Sequence, residues 1–122
     1  MREILFRGKR VDNGEWAYGD LLHCDDEAEI YSESVGKNGG YVIPETVGQY
    51  TGLTDKNGKK IFEHDIVRIA VCGTYDNYVV SYDKENARFV VGDIDFTMVR
   101  IFSPKIEVIG NIHDNPKLLK GD

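Results

Sequence analysis

Three Asn-Gly pairs divide this chain of 122 residues, and they constrain its fold more than any other feature of the sequence. In a type I′ β-turn both central residues need a positive φ, which Asn tolerates and Gly adopts freely. Each pair separates two segments rich in strand-forming residues. The sequence therefore predicts three β-hairpins, which pair residues 3–11 with 16–23, residues 29–35 with 41–47, and residues 49–53 with 60–62.

The second half of the chain continues the strand pattern. Apolar residues alternate through residues 66–71 and 78–83, as in strands that bury one face, and residues 73–77 have the composition of a turn. Further strands are predicted at residues 89–91, 96–102 and 106–112. Helical periodicity is absent from every window of 11 residues or more, although Asn115-Pro116 and Gly121 are typical of a short helical turn at the end of the chain.

These patterns predict an all-β fold. We expect the second half to form a small SH3-like or related barrel, because closure removes exposed strand edges. A hairpin-rich N-terminal half would pack on that barrel, and the only helix would be the short C-terminal turn. The length is typical of a single domain covering residues 1–122, with a possible subdivision into residues 1–48 and 49–122.

Composition limits the classes of protein to which this chain can belong. Cys24 and Cys72 are too few for a disulfide framework, and the sequence contains neither a signal peptide nor an apolar run long enough to cross a membrane. We expect a cytoplasmic protein that does not enter the membrane. The formal net charge of -6 disfavours nucleic acid as a partner, since phosphates repel a negative surface at long range.

Two observations keep nucleic acid open as an alternative. Four basic residues stand within the first ten positions, and the chain holds seven tyrosines in addition to Trp16. Basic and aromatic side chains on one face would form a stacking surface for single strands. The basic residues are Arg2, Arg7, Lys9 and Arg10, and the tyrosines are Tyr18, Tyr31, Tyr41, Tyr50, Tyr75, Tyr78 and Tyr82.

Residue patterns for catalysis and for metal binding are weak. Five residues rather than four separate Gly52 from Gly58, so a phosphate-binding loop is excluded. Adjacent residues of a strand point to opposite faces, which prevents the run His23-Cys24-Asp25-Asp26 from converging on one metal ion. Cys72 could meet a distant histidine, and Glu63 with Asp65 could form an acid–base pair. A packed thiol and a turn cap explain these residues more simply, so we expect no catalytic, cofactor or metal site.

Residues 49–67 resemble the YopX-like proteins of phages and prophages. The family pattern runs Gln-aromatic-Thr-Gly-Leu, Asp-Lys-Asn-Gly-Lys and Ile-aromatic-Glu-Gly-Asp-Ile-Val, and this chain departs from it at His64, where the family usually has Gly. Similar residues stand at both ends of the chain, at 2–7 and 107–116. The motif positions, whose role the resemblance leaves open, are Gln49, Tyr50, Thr51, Gly52, Leu53, Asp55, Asn57, Gly58, Glu63 and Asp65.

The resemblance implies lineage and fold but no reaction, because the family has no established biochemical activity. We expect a non-enzymatic phage or prophage accessory protein that acts by binding or self-assembly. Unpaired hairpin edges favour a homo-oligomer, and a phage or host protein is a further candidate partner. A single-stranded nucleic-acid-binding module is the alternative, and a small hydrolase is a more distant one.

Overall fold

The computed structural model describes residues 3–31, 40–71, 73–92, 94–95 and 106–119. These residues form two antiparallel sheets, so the predicted all-β class is confirmed. The first sheet has the order β4-β3-β2-β1-β5-β6 and the second β10-β9-β8-β7-β11. The strands are β1 (Phe6–Lys9), β2 (Trp16–Cys24), β3 (Glu27–Tyr31), β4 (Gly40–Val42), β5 (Gly48–Thr54), β6 (Lys60–Phe62), β7 (Asp65–Val71), β8 (Thr74–Asp83), β9 (Arg88–Val91), β10 (Ile94–Asp95) and β11 (Ile106–Asn111).

The chain divides into two compact units, residues 1–50 and 51–122, and the division falls within β5. In the first unit β1 pairs with β2 from Phe6↔Gly19 to Lys9↔Trp16, as the first predicted hairpin requires. The predicted type I′ turn is wrong. Gly14 has a φ of 73°, but Asn13 is not among the described non-glycine residues with positive φ. The loop is longer than two residues, because the Arg10 amide donates to the Glu15 carbonyl.

The second predicted hairpin is confirmed in its pairing, since β3 and β4 are antiparallel neighbours. Its Asn38-Gly39 turn and the end of its first predicted strand lie outside the described residues. The second strand stops at Val42, and a 3₁₀ turn, Pro44–Thr46, replaces the predicted continuation. Proline explains this change, because it has no N–H to extend the ladder.

The first unit is closed on itself. Besides pairing with β3, β4 bonds to the end of β1: the Val11 amide donates to the Tyr41 carbonyl at 3.0 Å, and the Ile43 amide donates to the Lys9 carbonyl at 2.8 Å. The enclosed core consists of Ala17, Ala28, Ile30 and Val42, with Phe6, Leu21 and Val47 packed against them. The edge of β4 that faces away from β3 is therefore occupied within the unit.

The second unit begins with the third predicted hairpin, which is confirmed by the neighbouring strands β5 and β6. The Gly58 amide donates to the Asp55 carbonyl, and the Asp55 amide donates to the Lys59 carbonyl. This is a three-residue loop with Gly58 at a φ of 83°. Asn57 lacks the positive φ of a type I′ turn, because the third residue of such a loop takes the left-handed conformation instead.

We expect Gly58→Val to lower the free energy of unfolding by about 1 kcal/mol or more, through backbone strain alone. Open space surrounds the position, since a Cβ there would meet no atom within 4 Å. Chemical denaturation measures the change. Gly58→Asn is the matched variant and should cost less, because Asn tolerates positive φ better than a β-branched residue. Equal stability of the Gly58→Val variant and the parent protein would contradict the turn geometry.

A meander of β7, β8, β9 and β10 follows, and β11 returns to pair with β7. The core of this unit is formed by Ile61, Val67, Ile69, Val80, Val91, Ile106 and Val108. Strand β8 starts at Thr74, so the turn predicted for residues 73–77 is wrong beyond Gly73: pairing with β7 keeps these polar residues extended. Within the described residues the ladder runs from β11 to β10 without closing, and the SH3-like barrel stays a prediction.

The C-terminal segment follows the sequence pattern. Strand β11 is confirmed, and the predicted helical turn is the 3₁₀ turn Pro116–Leu119, in which the Leu118 amide donates to the Asn115 carbonyl. The strand predicted at residues 96–102 lies outside the described residues. Among the described residues, no helix has the length and apolar character needed to cross a membrane.

Candidate functional site

Among the motif residues, Asp55 accepts three hydrogen bonds from backbone amides. Its Oδ1 accepts hydrogen bonds from the amides of Asn57 at 2.8 Å and Lys59 at 2.9 Å. Its Oδ2 accepts from the amide of Val108, also at 2.9 Å, which ties the turn to β11. Burial opposes ionisation of this carboxyl, but the amides of Val108, Lys59 and Asn57 outweigh it and lower its pKa. Asp55 is thus a structural clamp.

The motif residues before Asp55 also serve the hairpin. Thr51 is buried, and its hydroxyl donates to the Ile61 carbonyl of the neighbouring strand at 2.8 Å. Gly52 has a φ of 92°, and Leu53 packs against the core of the second unit. In the first unit, Gln49 stands opposite Phe6 in the β1–β5 ladder and Tyr50 is 8% exposed.

Glu63 and Asp65, whose spacing allows an acid–base pair, both stand at the turn between β6 and β7. Asp65 is 2% exposed and accepts a hydrogen bond from the Phe62 amide at 2.8 Å, so it caps the turn between β6 and β7. Glu63 is half-buried in the same turn. Cys72 lies outside the described residues. Thr51, Asp55 and Asp65 thus each stabilise the fold through hydrogen bonds with the backbone.

The outer surface of the first unit carries the aromatic residues that sequence analysis singled out. Side chains alternate along strands, and the core takes alternate residues of β1 to β4. The intervening residues point outward, and cross-strand pairing places them in two adjoining patches. The first patch consists of Lys9, Trp16 and Tyr18, together with Arg7, which is only 6% exposed and packs against Trp16; the second consists of Leu22, Glu29, Tyr31 and Tyr41.

The first patch is basic and aromatic. Lys9 stands opposite Trp16 and Arg7 opposite Tyr18. The Arg7 guanidinium lies 4.5 Å from the centre of a Trp16 ring, and the Lys9 ammonium lies 5.6 Å from it. Cations at these distances are attracted by the π face of the indole. Arg10 belongs to a different contact, because it forms an ion pair with Asp12 at 2.9 Å.

The second patch is apolar with an acidic centre. Leu22, Tyr31 and Tyr41 are 52%, 51% and 57% exposed, which is high for side chains of this size on one small surface. Glu29 is half-buried between them, opposite Leu22 on one side and Tyr41 on the other. We call the two surfaces the basic patch and the tyrosine patch. Together they form the candidate functional site.

Three of the remaining tyrosines stand in the second unit. Tyr75, Tyr78 and Tyr82 lie on β8, where Tyr78 packs against the core and Tyr82 contacts Phe89 edge to face at 5.1 Å. A stacking surface made of all seven tyrosines is not supported, because Tyr50 is only 8% exposed.

The structure brings together His64 and His113, which sequence analysis treated separately. His64 directly precedes Asp65, the first residue of β7, and His113 follows Asn111, the last residue of β11, by two positions. The Asn111↔Asp65 pairing of β11 with β7 makes these two strand ends neighbours. The Ile112 amide donates to the His64 carbonyl at 2.9 Å. The sequence could have indicated this contact between His64 and His113 only if the pairing of β7 with β11 had been predicted.

Comparison with known proteins agrees with the resemblance seen in the motif. The structure is similar to the crystal structure of protein EF1440 from Enterococcus faecalis, with a TM-score of 0.64 and 26% sequence identity over 98% of this chain and 99% of that chain. No curated protein gives a significant match. The family model described as YopX protein matches residues 5–120, nearly the whole chain. The chain therefore belongs to the YopX protein family.

Proposed function

We propose that this protein is a non-enzymatic binding protein that self-associates, with the basic patch of one copy contacting the tyrosine patch of another. Exposed Leu22, Tyr31 and Tyr41 carry the proposal, because aromatic side chains on an outer strand surface are typical of the centre of an interface. A binding role is favoured over catalysis because the motif carboxylates Asp55 and Asp65 already accept backbone hydrogen bonds.

Charge supports a second copy as the partner. Lys9 makes one patch positive, with the buried Arg7 beside it, whereas Glu29 makes the other negative, and Asp20 and Glu27 lie on the same strands as the tyrosine patch. A surface that carries both a positive and a negative patch is complementary to itself, so two copies related by a two-fold axis would form the same contact twice. The net charge of -6 opposes association except where the two signs meet.

The structural reason for self-association differs from the one that the sequence suggested. Unpaired hairpin edges were expected to drive assembly, but in the first unit β4 already bonds to the end of β1 through Val11 and Ile43. Side chains of the outer surface, rather than backbone edges of this unit, are therefore the proposed contact.

A charge-swap experiment tests self-association. We expect Lys9→Glu and Glu29→Lys each to weaken it about tenfold or more, because each variant places like charges opposite each other. A mixture of the two variants should associate again, since each copy then meets its opposite charge. Light scattering after size-exclusion chromatography, at tens of micromolar protein, measures all three samples.

Matched controls are available in an exposed turn of the second unit. Lys84→Glu and Glu85→Lys change the net charge by the same amounts as the patch variants and should leave the mass unchanged. A strictly monomeric parent protein at tens of micromolar would refute self-association. An oligomer that neither patch variant weakens would show that other surfaces hold it together.

Single-stranded nucleic acid is the second candidate partner, favoured by the position of Trp16 between Arg7 and Lys9. Base stacking on an aromatic ring with cations beside it is a common mode of single-strand binding. Titration with labelled single-stranded DNA at about 150 mM salt distinguishes the candidates. Micromolar or tighter binding that Lys9→Glu abolishes and Glu29→Lys strengthens would favour nucleic acid over self-association.

The biological setting forms part of the proposal. We place the protein in the cytoplasm of a bacterial host, as an accessory factor of a phage or prophage, on the basis of the motif resemblance. A phage or host protein could use the same patches as the second copy. Copurification from prophage-induced cells, with Tyr41→Ser as a patch variant and Tyr75→Ser as the exposed control, tests this: loss of a partner only in Tyr41→Ser would identify the surface.

A further inference from the structure

The rings of His64 and His113 face each other through one nitrogen each, at the long end of the range for a hydrogen bond between two imidazoles. His64 Nδ1 and His113 Nε2 are 3.4 Å apart, longer than the usual separation of about 3.0 Å for a hydrogen bond from nitrogen. The ring centres are 5.2 Å apart and the planes are nearly perpendicular, at 88°. Both side chains are half-buried in the second unit.

A shared metal ion would produce the same spacing. Two imidazole nitrogens that bind one tetrahedral Zn²⁺ at their usual bond length lie about 3.4 Å apart, and the centres of the two rings then lie about 5.2 Å apart. Both distances agree with those of the pair. The nitrogens are thus at the separation required for joint coordination without a change in backbone position.

The backbone holds His64 in place. Its φ of 74° is uncommon for a residue other than glycine, and His64 stands at the position where the family pattern has Gly. The His64 amide donates to the Val80 carbonyl at 2.7 Å, and its carbonyl accepts from the Ile112 amide. His113 is fixed by its own amide, which donates to Asn111 Oδ1 at 3.0 Å. Both imidazoles therefore extend from backbones that are already ordered.

We propose that His64 and His113 bind one divalent transition-metal ion of the Zn²⁺ class. Neutral imidazole is a favoured ligand of Zn²⁺, Ni²⁺ and Cu²⁺, and the adjacent Glu63, Asp65 and Asp114 make the surroundings anionic. Among the described side chains, no group of three or more potential ligands could hold a metal ion. Water completes the coordination, so we expect a lower affinity than that of a closed structural site with four protein ligands.

The experiment is calorimetric titration of the untagged full chain with Zn²⁺, with Mg²⁺ as a hard-cation control that should give no signal. We expect one Zn²⁺ per chain and a higher melting temperature with Zn²⁺. His113→Gln and His64→Gln should each weaken binding about tenfold or more, whereas His23→Gln, an exposed histidine of the first unit, should leave it unchanged. Binding should also weaken at acid pH, because protons compete for the ligand nitrogens.

His64→Gly separates metal binding from a failure to fold. It restores the residue of the family pattern and relieves the positive φ, so this variant should melt higher than the parent protein without metal while losing the shift with Zn²⁺. Substituting Co²⁺ should give the visible absorption of a tetrahedral site in the parent protein only. Absence of Zn²⁺ binding up to millimolar concentration, or binding unchanged in His64→Gly, would overturn the proposal.

Discussion

Replacing Asp55 with Ala is expected to lower the free energy of unfolding by about 3 kcal/mol or more. The carboxylate accepts three backbone hydrogen bonds, and one of them comes from Val108, which lies on β11 far along the chain. Alanine would leave these amides without their acceptor and would release the turn from β11. Urea denaturation of the two proteins measures the loss.

The matched control is Asp12→Ala. Asp12 also has a lowered pKa, owing to its side-chain hydrogen bond with Arg10, but it is exposed, so its removal should change stability far less than the removal of Asp55. A loss at Asp55 no larger than at Asp12 would contradict the clamp.

The acid dependence of stability should change with Asp55 as well. Its folded pKa lies below the unfolded value, so its contribution is complete above the unfolded pKa of about 3.9 and is lost as the pH falls through the folded pKa. Asp55→Asn should therefore show a shallower fall of stability below about pH 4. Identical acid unfolding profiles for the two proteins would show that Asp55 is not the group responsible.

Gly19→Ala is expected to cost about 3 kcal/mol because a side chain has no room there. A Cβ at this position would collide with the Tyr31 carbonyl oxygen and would lie 2.9 Å from the carbonyl carbon. The obstacle is the backbone of β3, which pairs with β2 at Asp20↔Tyr31 and cannot rotate away as a side chain would. The two strands would have to separate, which would disturb the core of the first unit.

Thermal and urea unfolding of Gly19→Ala test the collision. Gly14→Ala is the control: its φ is 73°, but a Cβ there would meet no atom within 4 Å, so the expected loss is only about 1 kcal/mol of backbone strain. A similar loss at both glycines would mean that β2 and β3 are not so close at Gly19.

The hairpins could be predicted because their signals are local. Gly14 and Gly58 take the positive φ that their Asn-Gly pairs indicated, and the strands beside them pair as expected. Alternation after Asp65 likewise located β7, and Asn115-Pro116 located the final turn. The composition of residues 74–77 predicted a turn and failed, because these residues pair with the preceding strand β7 and are extended.

The sequence by itself thus determined the all-β class, the positions of the hairpins and the family, because each depends on residues near one another in the chain. Only the tertiary structure decided what the motif does and which surfaces are available. Three features depend on which strands become neighbours. They are the hydrogen bond from the Val108 amide to Asp55, the contact between His64 and His113, and the division of the tyrosines between two units. That choice is made by burial of the two cores, and no short segment of sequence specifies it.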